Sequence, residues 1–427
     1  MAAEQSSESL NIRTPAGMNK IPAEWNWALL DSICDGIYDC PHSTPELTLA
    51  GPYVARTQDV ITGIFRADAA AHVSPETYKD RIKRAEPRWG DLLYSREGTY
   101  FGIAAEVPSD VQVCLGQRMV LIRPNAQVVD HRFLRYWLNS PVMSAHVHGR
   151  KDGSVAERLN LPTIRSLPTV LPDLREQRRI AAVLGTLDDK IAVTEGIAAT
   201  ARSLGHAKGR HTIHGISGRT GILGDFVEVT KGLSYRSADL VPGGGYLVTL
   251  KCIDRTGAFQ QRGLKPFSGI PKPSQLVQHG DVVVAQTDLT QQAEVLGRSA
   301  RIIDLNGNDR LIASLDLAVV RPKSLLTREY IDVLFSTREF REHALSYANG
   351  TTVLHLGSRA LPDFTFTVPD AEIVTSVTQV TRSLFDVAVQ AEREASSLAT
   401  LRDTLLPQLV SGRFRVSDAE KIVEDHA

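Results

Sequence analysis

Residues 173–204 have the sequence DLREQRRIAAVLGTLDDKIAVTEGIAATARSL, and the same pattern returns at residues 370–401 as DAEIVTSVTQVTRSLFDVAVQAEREASSLATL. The two copies begin 197 residues apart, and at this offset Leu187 aligns with Leu384. A repeat of this length is the first feature of the chain that needs an explanation.

Both copies begin with a signal for the start of a helix. Each follows a Pro-Asp step, at Pro172-Asp173 and at Pro369-Asp370. An Asp at the N-cap accepts hydrogen bonds from the first free backbone N–H groups of a helix. Glu176 lies three residues after Asp173, so the first copy comes close to a capping box.

Each copy also carries one apolar stripe with steps of mostly three and four residues, which is typical of a coiled-coil seam. At 1.5 Å per residue each helix is about 45 to 60 Å long. We therefore predict two long antiparallel helices that pair as a spacer; the alternative is two unrelated surface helices. Ile197, Leu204 and Val387 are included in the stripes, and small residues (Ala198, Ala201, Ala391, Ala395) would allow close approach. The positions predicted to pair the helices or dock partner subunits are Ile180, Leu184, Leu187, Ile191, Val377, Val380, Leu384, Leu398 and Leu401.

The blocks around the helices repeat as well. Gly280-Asp281 in the segment HGDVVVAQTD matches Gly90-Asp91 in WGDLLYSREG, and each is followed by an apolar run. The offset between matched segments grows from 190 residues at Gly90 to 198 residues at Arg123. We therefore expect the insertions to lie in loops and the helices and strands to be retained in both blocks. The predicted fold class is α+β, a mixed α/β chain with an internal pseudo-two-fold repeat. Its predicted parts are a disordered tail at 1–20, a globular domain at 21–172, a spacer helix at 173–214, a second domain at 215–369, a second spacer helix at 370–412 and a C-terminal tail at 413–427.

The totals are those of an ordinary globular protein. The chain has 427 residues, enough for two to four domains, and its formal net charge is −1. Overall charge therefore gives no support for a nucleic-acid partner, although a local basic patch would be enough. Four cysteines without a CxxC pair favour a reducing cytoplasm. We expect no signal peptide and no membrane span.

No motif for catalysis is recognisable. The sequence contains no GxxxxGK[ST], HExxH or GxSxG, and its Gly243–Gly245 run resembles a turn. Cys34, Cys40 and His42 are candidate metal ligands, but their spacing does not favour a metal site. We expect a chain that is not an enzyme on its own and holds no metal; the competing hypothesis is an enzyme whose site has no known motif.

Several short motifs recur in order along the chain: the helix start at Pro172, Glu176, Gln177 and Ile180, the pair Leu187-Asp188, the loops at Gly153-Ser154 and Gly350-Thr351, and LLPQLVSG at 405–412. Together with the repeat, these motifs resemble the specificity subunit of type I restriction–modification systems, and the resemblance covers about residues 21–415. The chain departs from the family pattern at Glu372-Ile373, where Glu-Gln is usual, so any polar contact of Gln177 lacks its twin in the second helix. Gln177 is assigned to subunit docking or helix pairing.

The resemblance implies a division of labour. Each globular block would be a target recognition domain for one half of an asymmetric bipartite site in double-stranded DNA, and the helices would set the gap. Two methyltransferase (modification) subunits would bring S-adenosylmethionine for methylation of adenine N6, and restriction subunits would bring ATP and Mg. No cofactor is expected in this chain itself. Two other hypotheses are a coiled-coil adaptor that binds only proteins and an orphan specificity subunit.

DNA contacts are expected from donors on exposed, Gly-bounded loops, since Arg and Lys suit guanine or phosphate and Asn and Gln suit adenine. The basic run Lys79, Arg81, Lys83, Arg84 and Arg88 would line phosphates. The other candidates are Arg96, Thr99, Arg118, Arg150, Lys151 and Ser154 in the first block and Lys231, Tyr235, Arg236, Lys251, Thr287, Gln291, Asn349, Thr351 and Thr352 in the second.

Overall fold

The computed structural model describes residues 12–18, 20–98, 100–150, 158–307 and 310–425. Contacts within the chain define two compact units. Unit 1 comprises the chain up to Lys190 together with the residues from Leu398 onward, and unit 2 comprises Ile191–Ser397.

Unit 1 is built on a four-stranded antiparallel sheet with the order β2-β8-β5-β6, beside a three-stranded sheet β4-β3-β7 and a two-stranded sheet β1-β9. The central strand β5 has the apolar sequence LLYS, and all four of its residues are buried, as a continuous apolar run predicts. The elements are β1 Asn26–Leu29, β2 Cys34–Asp39, β3 Thr48–Ala55, β4 Ala71–His72, α1 Pro75–Arg81, β5 Leu92–Ser95, β6 Ala104–Glu106, β7 Val113–Leu115, β8 Met119–Pro124, α2 His131–Leu138, α3 Pro141–His148, α4 Leu161–Arg165, β9 Pro168–Leu171 and the long helix α5 Leu174–Ile213.

Unit 2 repeats this plan. Its four-stranded antiparallel sheet has the order β11-β19-β15-β17, beside sheets β13-β12-β18-β14, β16-β21-β20 and β10-β22. Its central strand β15, VVVA, is again fully buried. The elements are β10 Thr220–Ile222, β11 Val227–Lys231, β12 Tyr246–Val248, β13 Lys265–Pro266, β14 Leu276–Val277, β15 Val282–Ala285, β16 Thr287–Asp288, β17 Ser299–Arg301, β18 Leu311–Ala313, β19 Leu317–Pro322, α6 Arg328–Phe335, α7 Arg338–Ser346, β20 Ala348–Asn349, β21 Leu354–Leu356, β22 Thr365–Thr367 and the long helix α8 Ala371–Val410. Each long helix is divided between the units, since residues 191–213 of α5 belong to unit 2 and residues 398–410 of α8 belong to unit 1. The last helix, α9 Val416–Asp425, belongs to unit 1.

A buried aspartate precedes the central strand of each unit. Asp91 is 1% exposed and accepts from Arg123 Nε at 2.9 Å and from Arg123 Nη2 at 2.7 Å. Asp281, also 1% exposed, accepts from Arg321 Nη2 at 3.2 Å. Both follow a glycine with positive φ, at Gly90 (89°) and Gly280 (83°), a conformation that glycine adopts without strain. The two matched Gly-Asp pairs of the sequence thus form the same structure in both units, a glycine with positive φ followed by a buried aspartate that binds an arginine.

The start of α5 is anchored in unit 1. Asp173 Oδ1 accepts from the Glu176 N–H at 2.8 Å, as expected for an N-cap. The side chain of Glu176 does not complete a capping box; it accepts from Trp25 Nε1 at 2.8 Å. Gln177 is fully buried and its Oε1 accepts from the N–H of Asp130, the N-cap residue of α2, at 2.8 Å. Gln177 is therefore engaged within its own unit.

The position that follows Gln177 by 197 residues is Val374, which is buried in the apolar core of unit 2. There the N-cap residue of α6, Thr327, meets Thr378 of α8 through their hydroxyl oxygens at 2.7 Å. The hydrogen bond of Gln177 near the start of α5 is thus replaced near the start of α8 by the contact between Thr327 and Thr378.

Within unit 2, α5 and α8 pack as antiparallel helices. Arg202 binds Glu392, and Gly205 lies beside Leu384, so the partner number falls as the α5 number rises. Their contact is a cluster of small buried side chains, Ala198, Ala201, Ala388 and Ala391. Inclusion of Ile197, Leu204 and Val387 in the seam was wrong, because these side chains are 48%, 42% and 48% exposed. Close approach of the helices selects alanine for the contact and leaves the larger residues outside.

Within unit 1, Asp188 of α5 joins three partners. It accepts from Tyr136 Oη at 2.5 Å and Arg135 Nη2 at 3.3 Å through Oδ2, and from Arg402 Nη1 at 2.9 Å through Oδ1. Arg135 and Tyr136 belong to α2, and Arg402 belongs to α8. The Leu-Asp motif therefore supplies a polar bond among three helices of unit 1.

Both predicted tails contain packed residues. Met18 is 1% exposed, and the Gly17 carbonyl accepts from Arg413 Nη2 at 2.6 Å. Residues 413–427, expected as a C-terminal tail, contain α9, whose Glu420 receives two hydrogen bonds from Arg179 of α5. Both ends of the described chain thus belong to the packing of unit 1.

The alanine seam leads to a stability prediction. Ala388→Leu places extra carbon atoms between closely packed helices and should lower the free energy of unfolding by about 2 kcal/mol. Val387→Leu, one residue away and exposed, should change it by less than about 0.5 kcal/mol. Chemical denaturation of the full chain followed by circular dichroism would measure both, and equal effects would contradict the seam.

Candidate nucleic-acid interface

In unit 2 the small sheet of β16, β21 and β20 carries several predicted contact residues. Thr287 pairs with His355, and His355 pairs with Asn349. Directly paired residues share one face of a sheet, so the three side chains form a row. His355 and Asn349 are exposed, but Thr287 is 9% exposed and its hydroxyl donates to Asp316 Oδ1 at 3.0 Å. The row presents His355 and Asn349 outward, and Thr287 serves the protein's own packing.

The loop after β16 is fixed by one buried carboxylate. Asp288 is 2% exposed, and its Oδ2 accepts from the N–H groups of Val295 at 2.6 Å and Leu296 at 3.1 Å. Its Oδ1 accepts from the N–H and the hydroxyl of Thr290, at 2.7 and 2.8 Å. Burial alone would raise the pKa of Asp288, but these hydrogen bonds to the charged form hold it below its usual value. Both ends of the loop 289–296 are thus tied to one side chain.

A further contact joins this loop to the turn at Gly350. Gln291 Nε2 donates to the Thr351 carbonyl oxygen at 2.6 Å, and Gln291, Thr351 and Thr352 are all exposed. Four predicted residues, Gln291, Asn349, Thr351 and Thr352, therefore lie together. We call residues 289–292, 349–352 and 355 the unit 2 loop surface.

Unit 1 has a corresponding surface around Arg96. The Arg96 N–H donates to the Arg118 carbonyl at 3.0 Å, and the Arg96 carbonyl accepts from the Leu159 N–H at 2.8 Å. Glu97 forms an antiparallel bridge with Arg158, which is exposed. We call Arg96, Glu97, Arg118 and Arg158 the unit 1 loop surface.

The same backbone bonds recur in unit 2. The Gln286 N–H donates to the Asp316 carbonyl at 2.7 Å, and the Gln286 carbonyl accepts from the Leu356 N–H at 2.8 Å. Gln286 thus takes the place of Arg96, and the pair Thr287–His355 takes the place of Glu97–Arg158. The two units therefore share one backbone arrangement, which we call the frame, and differ in the side chains that it presents.

Two arginines of the unit 1 loop surface are held by carboxylates. Arg96 Nη1 lies 3.3 Å from Asp39 Oδ1, and its side chain is 17% exposed. Arg118 Nε lies 3.3 Å from Glu97 Oε1, but its side chain is 53% exposed, and its backbone has a positive φ of 73°. Arg118 is therefore the more accessible of these two predicted residues.

The loop that follows the central strand differs in length between the units. In unit 1 the Gly102 N–H donates to the Ser95 carbonyl at 2.6 Å, and in unit 2 the Gly297 N–H donates to the Ala285 carbonyl at 2.9 Å. Ser95 and Ala285 are 190 residues apart, whereas the two glycines are 195 apart. Unit 2 therefore has five additional residues at this place.

The predicted basic run divides into buried and exposed members. Arg81 is 6% exposed, and its Nε and Nη2 donate to the Leu115 carbonyl at 2.9 and 2.7 Å. The expectation that Arg81 lines phosphates is wrong, because its guanidinium holds two parts of unit 1 together. The exposed members are Lys79, Lys83, Arg84 and Arg88, of which Lys83 pairs with Asp80 and Arg84 donates to the Asp39 carbonyl.

The remaining predicted residues of unit 2 lie on other loops. Lys231, Arg236 and Lys251 are exposed. Tyr235 is half-buried and packs edge-on against Phe267, with ring centroids 6.3 Å apart. No hydrogen bond among the described contacts connects these four residues to the unit 2 loop surface.

Arg150, two residues after the end of α3, is partly buried near Arg13. Burial, with a contribution from nearby Arg13, lowers the pKa of the Arg150 guanidinium. Burial and the Arg150 charge lower the pKa of His146 to about 4, so this imidazole is neutral at neutral pH. The other candidates in this part of unit 1, Thr99, Lys151 and Ser154, lie outside the described residues.

Sequence reasoning missed Arg158, His355 and Leu289. The alignment of GSVAERL with GTTVLHL already places Arg158 opposite His355, so the signal was present. Leu289 was missed because only hydrogen-bonding side chains were considered as DNA contacts. It is 74% exposed in the loop that Asp288 fixes.

Among the residues that the structure describes, no three His, Cys, Asp or Glu side chains gather as a metal ion would need. In the same part of the chain, no helix has the length and apolar character that a membrane span requires.

Residues 71–201 match the family described as the type I restriction modification DNA specificity domain. Among curated proteins, no relative matches the chain.

In its fold, the chain is similar to the S subunit of a type I restriction-modification system from M. genitalium, with a TM-score of 0.51 and 15% identity over 93% of this chain and 99% of that one. Two other solved structures resemble it less closely in TM-score. The HsdS subunit from Thermoanaerobacter tengcongensis has a TM-score of 0.37 and 17% identity, over 93% of this chain and 99% of that chain. A chain from a study of complex assembly and conformational transition in a type I R-M system has a TM-score of 0.44 and 18% identity, over 92% and 100%.

The role of Asp288 in holding the unit 2 loop surface can be tested directly. Asp288→Ala removes the acceptor of three backbone N–H groups, and hydrogen bonds to a charged group contribute about 1.5–3 kcal/mol each. Amide hydrogen exchange at Thr290, Val295 and Leu296 should therefore become at least about ten-fold faster.

Asp254→Ala is a matched control in the same unit, because Asp254 Oδ1 accepts from the N–H groups of Thr256 and Ala258. It should accelerate exchange at those two amides and leave Val295 and Leu296 protected. Unchanged protection in Asp288→Ala would show that the loop is held by other contacts.

Proposed function

We infer that this chain, whose residues 71–201 belong to the type I restriction modification DNA specificity domain family, is the DNA sequence-specificity subunit of a type I restriction–modification system. The observation that carries this inference beyond the matched segment is the repeated frame of unit 2. A second unit with a matching four-stranded antiparallel sheet, β11-β19-β15-β17 beside β2-β8-β5-β6 of unit 1, extends the assignment to the rest of the chain.

We further propose that the two units recognise different half-sites. The matched positions Arg158 and His355 differ, and the loop after the central strand is five residues longer in unit 2. Two reading surfaces with different side chains favour an asymmetric, bipartite DNA site. Base sequence is recognised by side chains that contact base edges, whereas phosphate contacts position the protein.

The side chains suggest how each half would be read. Arg118 and Arg158 can donate two hydrogen bonds to a guanine edge or contact phosphates, while Gln291 and Asn349 suit the edge of adenine. Lys79, Lys83, Arg84 and Arg88 would contribute phosphate contacts that depend on salt.

The long helices fit a spacer role. α5 and α8 each have 40 residues, about 60 Å at 1.5 Å per residue. This compares with about 34 Å for one turn of B-DNA, so each helix is long enough to relate contacts made on successive turns. We propose that their length fixes the number of base pairs between the two half-sites.

The chain is proposed to act without chemistry of its own. Modification subunits would bring S-adenosylmethionine and methylate adenine N6, and restriction subunits would bring ATP and Mg, in a DNA-associated complex in the cytoplasm. Ile180, Leu184 and Leu187 are buried inside the chain, so they are not available for docking. Val193 and Ile197 of α5 are 64% and 48% exposed one helical turn apart, and we assign docking to them.

The first test is long-read mapping of methylated adenine in host DNA, with and without this chain. Deletion should abolish methylation at one asymmetric split motif, because in this proposal no other subunit of the complex recognises the DNA sequence. Replacing residues 21–172 by the corresponding block of a related chain should then alter only one half of the motif.

Survival of every methylated motif after deletion would contradict the specificity role in this host. Co-purification would then separate the remaining hypotheses. A protein-only adaptor would retain its partners without salt-dependent DNA binding, whereas an orphan specificity subunit would bind DNA and lack a modification partner.

The docking assignment is tested by Val193→Asp combined with Ile197→Asp. Burying unpaired carboxylates in an apolar interface should weaken association with the modification subunit at least about ten-fold, measured by titration of the purified subunits. Val241→Asp is the control, because Val241 is 45% exposed and lies outside the helices. Equal association of both variants would place the docking surface elsewhere.

A further inference from the structure

The longer loop of unit 2 carries an exposed leucine, Leu289, and several contacts restrict the loop's conformation. Leu289 follows Asp288, whose carboxylate binds the loop near both ends, and Gln291 is bound to the Thr351 carbonyl. Single exposed apolar residues are ordinary on protein surfaces. Leu289 differs from such residues because its loop is held in place by hydrogen bonds and because exposed polar side chains, such as Gln291, lie close to it in the loop.

The far end of the loop is held as firmly. Arg341 donates to the carbonyl groups of Ala293 and Leu296, and Arg298 Nε donates to the Glu294 carbonyl at 2.8 Å. The Glu294 carboxylate also pairs with Arg255, with Oε2 2.9 Å from Nε. A loop fixed in this way loses little conformational entropy when it binds a partner, so a contact by Leu289 adds to affinity.

We propose that Leu289 recognises the 5-methyl group of a thymine in the half-site bound by unit 2. This inference rests on the proposed function, since it requires that the unit 2 loop surface binds DNA. The thymine methyl is the one apolar group on the edges of the four common bases, and it lies in the major groove. A leucine side chain supplies the apolar contact that this group needs.

The neighbours of Leu289 favour the same groove. Gln291 and Gln292 are exposed two and three residues later, and glutamine suits the N6 and N7 atoms of adenine, which also lie in the major groove. Leucine beside glutamine is therefore a combination for an A·T base pair. The minor groove has no methyl group and would not distinguish thymine from uracil.

The experiment uses the full chain in complex with its modification subunits and duplexes that contain the mapped motif. Each thymine in the unit 2 half-site is replaced in turn by deoxyuridine, which removes only the methyl group. Burial of one such group contributes about 0.8 kcal/mol, so one replacement should weaken equilibrium binding by about four-fold. Leu289→Ala should bind the thymine and uracil duplexes equally.

Matched variants define the effect. Ile270→Ala removes another exposed aliphatic side chain of unit 2, 89% exposed, and should keep the full four-fold response. Leu289→Met should keep a preference for thymine, because its side chain is also apolar. Melting temperatures of all variants should equal that of the unchanged complex, since Leu289 is largely solvent-exposed.

The outcomes separate this inference from the proposed function. Sequence-specific binding with the same uracil response in the unchanged chain and in Leu289→Ala overturns the inference and leaves the proposed function intact. A unit 2 half-site without thymine in either strand does the same. Absence of any sequence-specific DNA binding by the complex overturns the proposed function itself.

Discussion

The fold of each unit depends on a carboxylate buried at the start of its central strand. Asp91 and Asp281 bind arginines on the adjacent strand of the same sheet, Arg123 of β8 and Arg321 of β19. Separating the carboxylate from its arginine would leave a buried charge without a partner and would strongly destabilise the folded unit. The pair therefore fixes the position of the two strands relative to each other. Register matters because a slip of one residue would turn every buried side chain of the strand to the opposite face.

The DNA sequence that each unit recognises can change without loss of the fold, because the backbone hydrogen bonds shared by the two units and the surface loops involve different residues. The bonds around Arg96 recur around Gln286, and the side chains that project from them differ. The longer loop in unit 2 has its own anchor, Asp288; its residues Leu289 and Gln291 are exposed, while Leu296 is buried in the core. Loop-closure entropy rises only slowly with length, by about 0.6 kcal/mol for each doubling, so such an insertion is tolerated.

Much of the fold could be predicted from the sequence, because its repeat is visible and its signals are local. The Asp173 cap is a contact over three residues, whereas the partner of Glu176 is Trp25, 151 residues away, which no local pattern reveals. Spacing indicated an apolar stripe but could not distinguish Val387 from Ala388, because the closeness of two helices is a tertiary property. The site was less predictable, since the hydroxyl of Thr287 donates to Asp316, which lies 29 residues away in the sequence.

The composition of unit 1 from two separated stretches determines the order in which the chain can fold during synthesis. Arg402 and Arg413, which bind Asp188 and Gly17, leave the ribosome only after all of unit 2. At ~5–20 residues per second, the interval between Lys190 and Leu398 lasts on the order of ten to forty seconds. Unit 2, which is continuous, can complete its core first, whereas unit 1 can be completed only after residues 398–425 have been synthesised.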